Sequence, residues 1–212
     1  MIDIDIVSDT ICPWCYVGKR RIERALAGFD ADEVRIRWHP FQLNPGMPPE
    51  GMDRTEYVAA KFGGADAARA VYDRIREAGA EEGIAFAFER MPRTPNTFAS
   101  HRVVHYAAGE GLQNEAVEAL FQAVFLNGRD IGDRETLLDI GAECGIEPVA
   151  LSEYLASVED VDALRAEEAR SRRMGVTGVP FFIIGGRYGV SGAQDAGVLR
   201  SVVDKVAEES VA

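Results

Sequence analysis

Cysteine is scarce in this chain: three residues among 212, at positions 12, 15 and 144. So few cannot build the cross-linked framework that holds small secreted domains together. Histidine is equally rare, with three residues, which leaves few nitrogen donors for a metal centre. Basic residues are outnumbered, 23 against 35 acidic, for a net charge of −12. Nor is there a basic stripe of the kind that tracks phosphates, so nucleic acid is not an expected partner. The acid is scattered and reads as solubilising surface. No unbroken apolar run approaches the roughly 18 residues a membrane span needs. The opening MIDIDIVSD alternates Ile with Asp and has neither the basic start nor the apolar core of a signal peptide. A cytoplasmic protein without a membrane partner is expected. What is present is an ordinary apolar fraction of 47%, enough for a real core in one large domain or a domain with a sizeable insertion.

Residues 2–7 read as a strand, with Ile2, Ile4 and Ile6 on one face and Asp3 and Asp5 on the other. A short loop leads to a helix expected from Pro13 to Phe29. EVRIRWHPFQL alternates again, with Val34, Ile36 and Trp38 facing together, and Pro40 limits its run as a strand. NPGMPPEGM is a loop by its prolines and glycines. From Thr55 to Gly175 the apolar spacing is mostly helical, and helices are expected at 55–62, 66–82, 96–108, 113–127, 134–143, 148–156 and 160–173. The stretch IAFAFER at 84–90 fits extended or helical structure equally. VPFFIIGGRYGVSG predicts a hairpin turning at Gly185-Gly186. DAGVLRSVVDKVAEE predicts a closing amphipathic helix with Asp195 as its N-cap. The order implies an α/β core made of residues 1–62 and 172–212, interrupted by a helical insertion at 63–171.

Cys12 and Cys15, in DTICPWCYVGKR, admit three readings. Structural zinc is held by four ligands, and the candidates left are Cys144, His39, His101 and His105. His101 and His105 are spaced i and i+4 on one predicted helix, but no Glu stands between them and Arg102 sits beside the first. No metal is therefore expected. A structural staple is weak on magnitude, because closing so short a loop is worth about 2 kcal/mol at best. A working redox pair remains. Pro13 would stand at the first helical position, where its missing N–H costs nothing. Unpaired amides and the positive end of the helix dipole would then face Cys12 and favour its thiolate, the attacking species. Cys15, one turn later, would be the more sheltered thiol, placed to resolve a mixed disulfide. Trp14, between the cysteines, is expected to be exposed rather than core. Cys144 in GAECGI reads as a small buried hydrophobe.

A second signal stands far along the chain, where GVTGVPFF puts Val179-Pro180 at the start of a predicted strand. CPWC on a strand-to-helix turn, with GVTGVPFFIIGGRYGVSGAQ downstream and a helical block between, resembles the DsbA-like branch of the thioredoxin superfamily, FrnE-like dithiol oxidoreductases above all. The resemblance covers nearly the whole chain. It implies a thioredoxin-like α/β fold with a large all-helical insertion, and thiol–disulfide exchange on protein or small-molecule disulfides. It also implies that Cys12 is the nucleophile, that Cys15 resolves, and that Pro180 is a cis-proline packed beside them. Val179 would present its backbone to an extended substrate, and Pro13 and Trp14 would border the same groove. TPNTFASHR (94–102) resembles the helix bordering that groove, which makes Asn96, Thr97 and His101 lining candidates. The plainer alternative is a helix N-cap at Asn96 or Thr97 and a solvated His101. No cofactor is implied beyond the redox pair itself, with glutathione as a candidate co-substrate, and a homodimer is implied by the family alone.

Pro13 and Trp14 between the cysteines differ from the histidine-bearing pair of secreted DsbA enzymes, so a redox potential does not transfer. Nor does the first strand offer an inward acid behind Cys15, and Asp9 reads as a loop-capping residue. The alternative function is a glutathione-dependent isomerase or transferase, of the 2-hydroxychromene-2-carboxylate isomerase or kappa-class type. Those enzymes resemble this chain in fold but use serine in place of the first cysteine and lack the second. A chaperone-like binding module is the third class, and the intact dithiol argues against it as a sole activity.

Overall fold

The structure is a computed structural model and describes residues 1–211. The chain forms two compact units: residues 1–43 with the chain from Arg165 onward, and Asn44–Leu164. Each has its own architecture.

The first unit is built on a four-stranded sheet. Strand β1 (Ile2–Ser8) is followed by helix α1 (Pro13–Ala25) and strand β2 (Val34–Pro40). After the helical unit the chain returns through β5 (Phe181–Ile184), β6 (Tyr188–Ser191) and α9 (Ala196–Val211). The sheet order is β2-β1-β5-β6, with β1 parallel to β2 and antiparallel to β5, and β5 antiparallel to β6. Register stacks one apolar layer: Ile4 lies between Ile36 and Ile184, and Ile6 between Trp38 and Phe182. Ile4, Ile6, Phe182 and Ile184 are fully buried. Each such side chain contributes about 1.5–3 kcal/mol of transfer free energy. Leu199 and Val203 of α9 and Ile22 of α1 are equally enclosed.

The opposite face of β1 carries the aspartates that sequence alternation turned outward. Asp3 accepts from Arg35 at 2.7 Å, and Asp5 accepts from Arg37 at 2.7 and 3.2 Å. His39 joins this row, with Nε2 2.8 Å from Asp5 and Nδ1 against Glu167. A neutral imidazole has one N–H, so two carboxylate partners require the doubly protonated ring. Towards the end of β1 the same face becomes apolar, where Val7, Phe41 and Val176 pack with Leu43, Val179 and Phe181.

The elements of this unit follow their local chemistry, with one change. Helix α1 ends at Ala25 rather than Phe29, because Leu26 caps it and Gly28 turns to a φ of +92°. The β5–β6 turn has φ of +62° at Gly185 and +67° at Gly186, the conformation a tight hairpin demands. Helix α9 starts just after Asp195, whose carbonyl accepts from Val198 and Leu199.

The second unit contains α2 (Arg54–Phe62), α3 (Ala65–Glu81), α4 (Phe98–Gly109), α5 (Gln113–Phe125), α6 (Arg134–Glu143), α7 (Pro148–Ala156) and the start of α8 (Val161–Arg173). It also has a two-residue ribbon, β3 (Met52–Asp53) against β4 (Arg93–Thr94), which the loop-like sequence did not predict. This ribbon explains why the unit starts at Asn44 and not at 63. Arg54 donates its N–H to Pro92 at 3.1 Å and its guanidinium to the Tyr72 hydroxyl at 2.6 Å, tying 52–62 to the helices. The ambiguous stretch 84–90 is irregular except for one 3-10 turn at Phe88–Arg90. Phe86 and Phe88 stack at 5.0 Å and both meet Phe125 edge-on. Among the described residues, no helix is long and apolar enough to cross a membrane.

The His39 cluster carries a pH signature. Burial alone lowers the His39 pKa, but its bonds to Glu167 and Asp5 outweigh that and leave it raised. A raised histidine stabilises fully below its unfolded value, about 6.5, and loses that contribution as pH rises through its folded value. His39→Gln should therefore lower the melting temperature by about 2–4 °C near pH 6, for a loss of about 1 kcal/mol. The deficit should shrink as pH rises through the raised folded value. Thermal melts of both proteins across this range provide the check, and a pH-independent deficit would contradict the doubly protonated ring.

Candidate active site

The turn between β1 and α1 is pinned by one buried side chain. Asp9 is fully enclosed, and its carboxylate accepts from the Leu43 N–H at 2.7 Å and the Ile11 N–H at 3.5 Å. Its carbonyl accepts from the Cys12 N–H at 3.0 Å. The Ile11 contact is the local loop capping that an aspartate favours, and the shorter bond to Leu43 ties this turn to the segment after β2. Cys12 is then the N-cap residue of α1, extended at φ −92°, ψ 111°, and Pro13 opens the helix as the sequence predicts.

Both thiols are free, and both lie below the surface, Cys12 with 3% and Cys15 with 0% of its area exposed. Trp14, expected to be exposed, is half-buried, as is Pro13. The Cys12 side chain makes no capping bond to the first turn of α1. Instead its Sγ donates to the carbonyl of Val179 at 3.6 Å, across 167 residues of sequence. A thiol has one proton to give, and a carbonyl oxygen can accept it. The Val179-Pro180 peptide is cis, as the resemblance implied. Pro180 is buried, and its carbonyl accepts from Gly192 at 2.9 Å, which joins this bend to the chain after β6.

Cys15 sits under Cys12, and its backbone N–H donates to the Cys12 carbonyl at 3.0 Å. Burial pushes the Cys15 thiol well above its ordinary pKa, and hydrogen bonding and charge from Cys12 push it further. The Ser8 hydroxyl and the Asp9 backbone N–H oppose this by hydrogen bonding to the sulfur. Sequence reading missed Ser8. The signal for it was parity: Ile2, Ile4 and Ile6 point inward from β1, and Ser8 is the next residue in that row.

The remaining candidates belong to the helical unit. Asn96 is partly buried and does the local capping: its Oδ1 accepts from the Phe98 N–H at 2.9 Å, and its Nδ2 donates to the Met47 carbonyl at 2.7 Å. Thr97 is the N-cap residue of α4 without a capping side-chain bond. His101, expected to be solvated or groove-lining, is buried at 4% exposure, because it points to the packed side of α4 with Val104 and Ala107 rather than outward. His105 lies 3.3 Å from the Asp160 carboxylate. Cys144 is only partly buried, since it caps the end of α6 rather than standing inside it. Among the described residues, no cluster of three or more His, Cys, Asp or Glu side chains has metal-binding geometry.

The burial difference is measurable. In the Cys12→Ser variant, Cys15 should resist alkylation by iodoacetamide in the native state below about pH 9 and react once the protein is unfolded. Cys144, partly exposed, provides the internal comparison in a mass-spectrometric count of modified thiols. Native alkylation of Cys15 at the rate of Cys144 would refute the burial described here.

Three proteins of known structure resemble this arrangement. A probable DsbA oxidoreductase, SCO1869 of Streptomyces coelicolor, is 33% identical and matches with a TM-score of 0.89 over 99% of this chain and 91% of its own. A 2-hydroxychromene-2-carboxylate isomerase matches at 0.75 with 17% identity, covering 99% of this chain and 98% of its own. DsbM of Pseudomonas aeruginosa, described as a cytosolic disulfide reductase and also solved with GSH, matches at 0.68 with 20% identity, over 99% and 100%. The last two share the fold. The sequence model of the DSBA-like thioredoxin domain matches residues 3–204, nearly the whole of the structure just described. With its strand–turn–helix dithiol, its cis bend and its helical insertion, this chain belongs to the DSBA-like thioredoxin domain family.

Proposed function

We propose that this protein is a thiol–disulfide oxidoreductase whose working pair is Cys12 and Cys15. The observation that carries the reading is the convergence of Cys12 Sγ on the Val179 carbonyl at 3.6 Å, with Cys15 enclosed beneath it. On this reading a nucleophile, a resolving thiol and a backbone acceptor for substrate would share one spot.

In the reducing direction Cys12 gives up its proton and attacks one sulfur of a substrate disulfide. A Cys12–substrate bond forms, the substrate S–S bond breaks, and the leaving thiolate takes a proton. Cys15 then loses its proton and attacks Cys12 Sγ. The Cys12–Cys15 disulfide forms and the second substrate thiolate departs. Two electrons pass from the dithiol to the substrate, and the reverse sequence oxidises a substrate dithiol. Burial holds Cys15 protonated until it is needed, so it does not compete as the first attacker. Val179 and Pro180 flank the reacting sulfur, and Val179 would pair with an extended substrate backbone. Pro13 and Trp14, half-buried at the same helix start, would border that substrate. The capping bond of Asn96 and the burial of His101 favour structural roles for these two residues.

Disulfide-containing proteins or small thiols such as glutathione are the proposed partners, in the cytoplasm. DsbM, described as cytosolic and solved with GSH, supports that setting. The isomerase neighbour keeps the glutathione-dependent alternative in view. Reduction of insulin disulfides, together with equilibration against glutathione, separates the two. Cys12→Ser should lower turnover by roughly 100-fold or more. Cys15→Ser should accumulate a mixed disulfide on Cys12, visible as an added substrate mass. Full reductase activity in Cys12→Ser would end the dithiol reading. Isomerase or conjugating activity that survives Cys15→Ser would establish the alternative.

A further inference from the structure

Helix α1 contains a glycine where nothing in the turn chemistry asks for one. Gly18 is interior to the helix, buried, and one turn beyond Cys15. Glycine is the poorest helix former after proline, so an interior glycine in a buried helix calls for a packing reason. Here the reason is a close approach. A Cβ at Gly18 would lie 2.9 Å from Pro180 Cγ and 3.2 Å from Phe182 Cζ. By contrast, Gly197, near the start of α9, has open space around the same hypothetical atom. The cis bend therefore rests directly on the backbone of the helix that carries both cysteines.

We propose that Gly18 is a positioning residue: its missing side chain lets Pro180 seat against α1 and so sets the Val179 carbonyl at the Cys12 sulfur, in place for an extended peptide disulfide. The inference rests on the dithiol reading above and deepens it. The Pro180 carbonyl accepts from the Gly192 N–H at 2.9 Å, and the chain continues into β5, whose Phe182 is paired to Ile6. A methyl group at position 18 has no room to enter without pushing the bend outward. The Val179 carbonyl moves with that bend, away from Cys12. A substrate that uses a backbone amide to bind would feel the shift, whereas one that offers only a disulfide would feel it less.

The test is Gly18→Ala read with two substrates, a short peptide containing a disulfide and dipyridyl disulfide, which has no peptide group. The expected result is a KM for the peptide raised about fivefold to tenfold, the scale of one lost hydrogen bond, with a smaller change in kcat. The loss of kcat/KM with the peptide should exceed the loss with dipyridyl disulfide by at least about fivefold. Gly197→Ala serves as the control for a helical glycine without a close neighbour and should alter neither. An unchanged peptide KM in folded Gly18→Ala overturns the proposal, and so does an equal loss with both substrates, which would mean a general disturbance of the thiols. If Gly18→Ala fails to fold by circular dichroism, the double variant with Phe182→Leu removes the nearby ring atom on the strand side, leaves Pro180 in place, and is judged by the same comparison. Peptide turnover that persists in Cys12→Ser removes the dithiol reading itself, and this inference falls with it. That outcome is distinct, because it does not involve position 18.

Discussion

The antiparallel pairing of β1 with β5 is the constraint on which the site depends. Residues 4–7 pair with residues 181–184, so Ile6 sits opposite Phe182 and Val7 opposite Phe181. Ser8 and the turn to Cys12 follow directly from one strand, and Pro180 directly precedes the other. No local interaction could bring Cys12 to a carbonyl 167 residues away. The ladder does so, and the buried layer of Ile4, Ile6, Phe182 and Ile184 holds its register. A slip of one residue would turn that layer outward, expose the isoleucines and carry the bend away from the helix.

Around that ladder the chemistry of the two sulfurs is divided by depth. Cys15 is enclosed between Cys12, Ser8 and the Asp9 N–H, and burial dominates its titration. Cys12 keeps a sliver of surface and a backbone acceptor. Asp9, whose acid group satisfies the amides of Ile11 and Leu43, keeps the intervening loop in one shape. On the far side of the sheet, charges are used differently. Asp3, Asp5, Arg35, Arg37 and His39 pair across two parallel strands and extend to Glu167 on α8, so the outward face is stitched by ions where the inward face is packed by hydrocarbon.

Much of this is legible in local sequence pattern. Period-two alternation placed β1 and its Ile and Asp faces, Pro13 marked the start of α1, and paired glycines marked the hairpin. The helical block was visible because its apolar positions recur at helical spacing over whole elements. What local pattern missed had non-local causes. The ribbon of Met52–Asp53 with Arg93–Thr94 is two residues per strand, too short to show a period, and exists because Arg54 finds Pro92 and Tyr72. Residues 84–90 are shaped by aromatic stacking on Phe125 rather than by their own alternation. His101 reads as polar and therefore outward, yet the packing of α4 turns it in.

Residue order alone was enough to specify the pieces: a dithiol at a helix start, a Val-Pro pair before a strand, and the secondary structure that carries each. Spacing and propensity act over a few residues, and these features are short-range. The meeting of Cys12 with Val179, the depth of Cys15, the hydroxyl of Ser8 and the bare contact of Gly18 with Pro180 came from folding. The first and last are contacts between residues remote in sequence, and all four are set by strand register and side-chain packing rather than by the pattern of neighbouring residues.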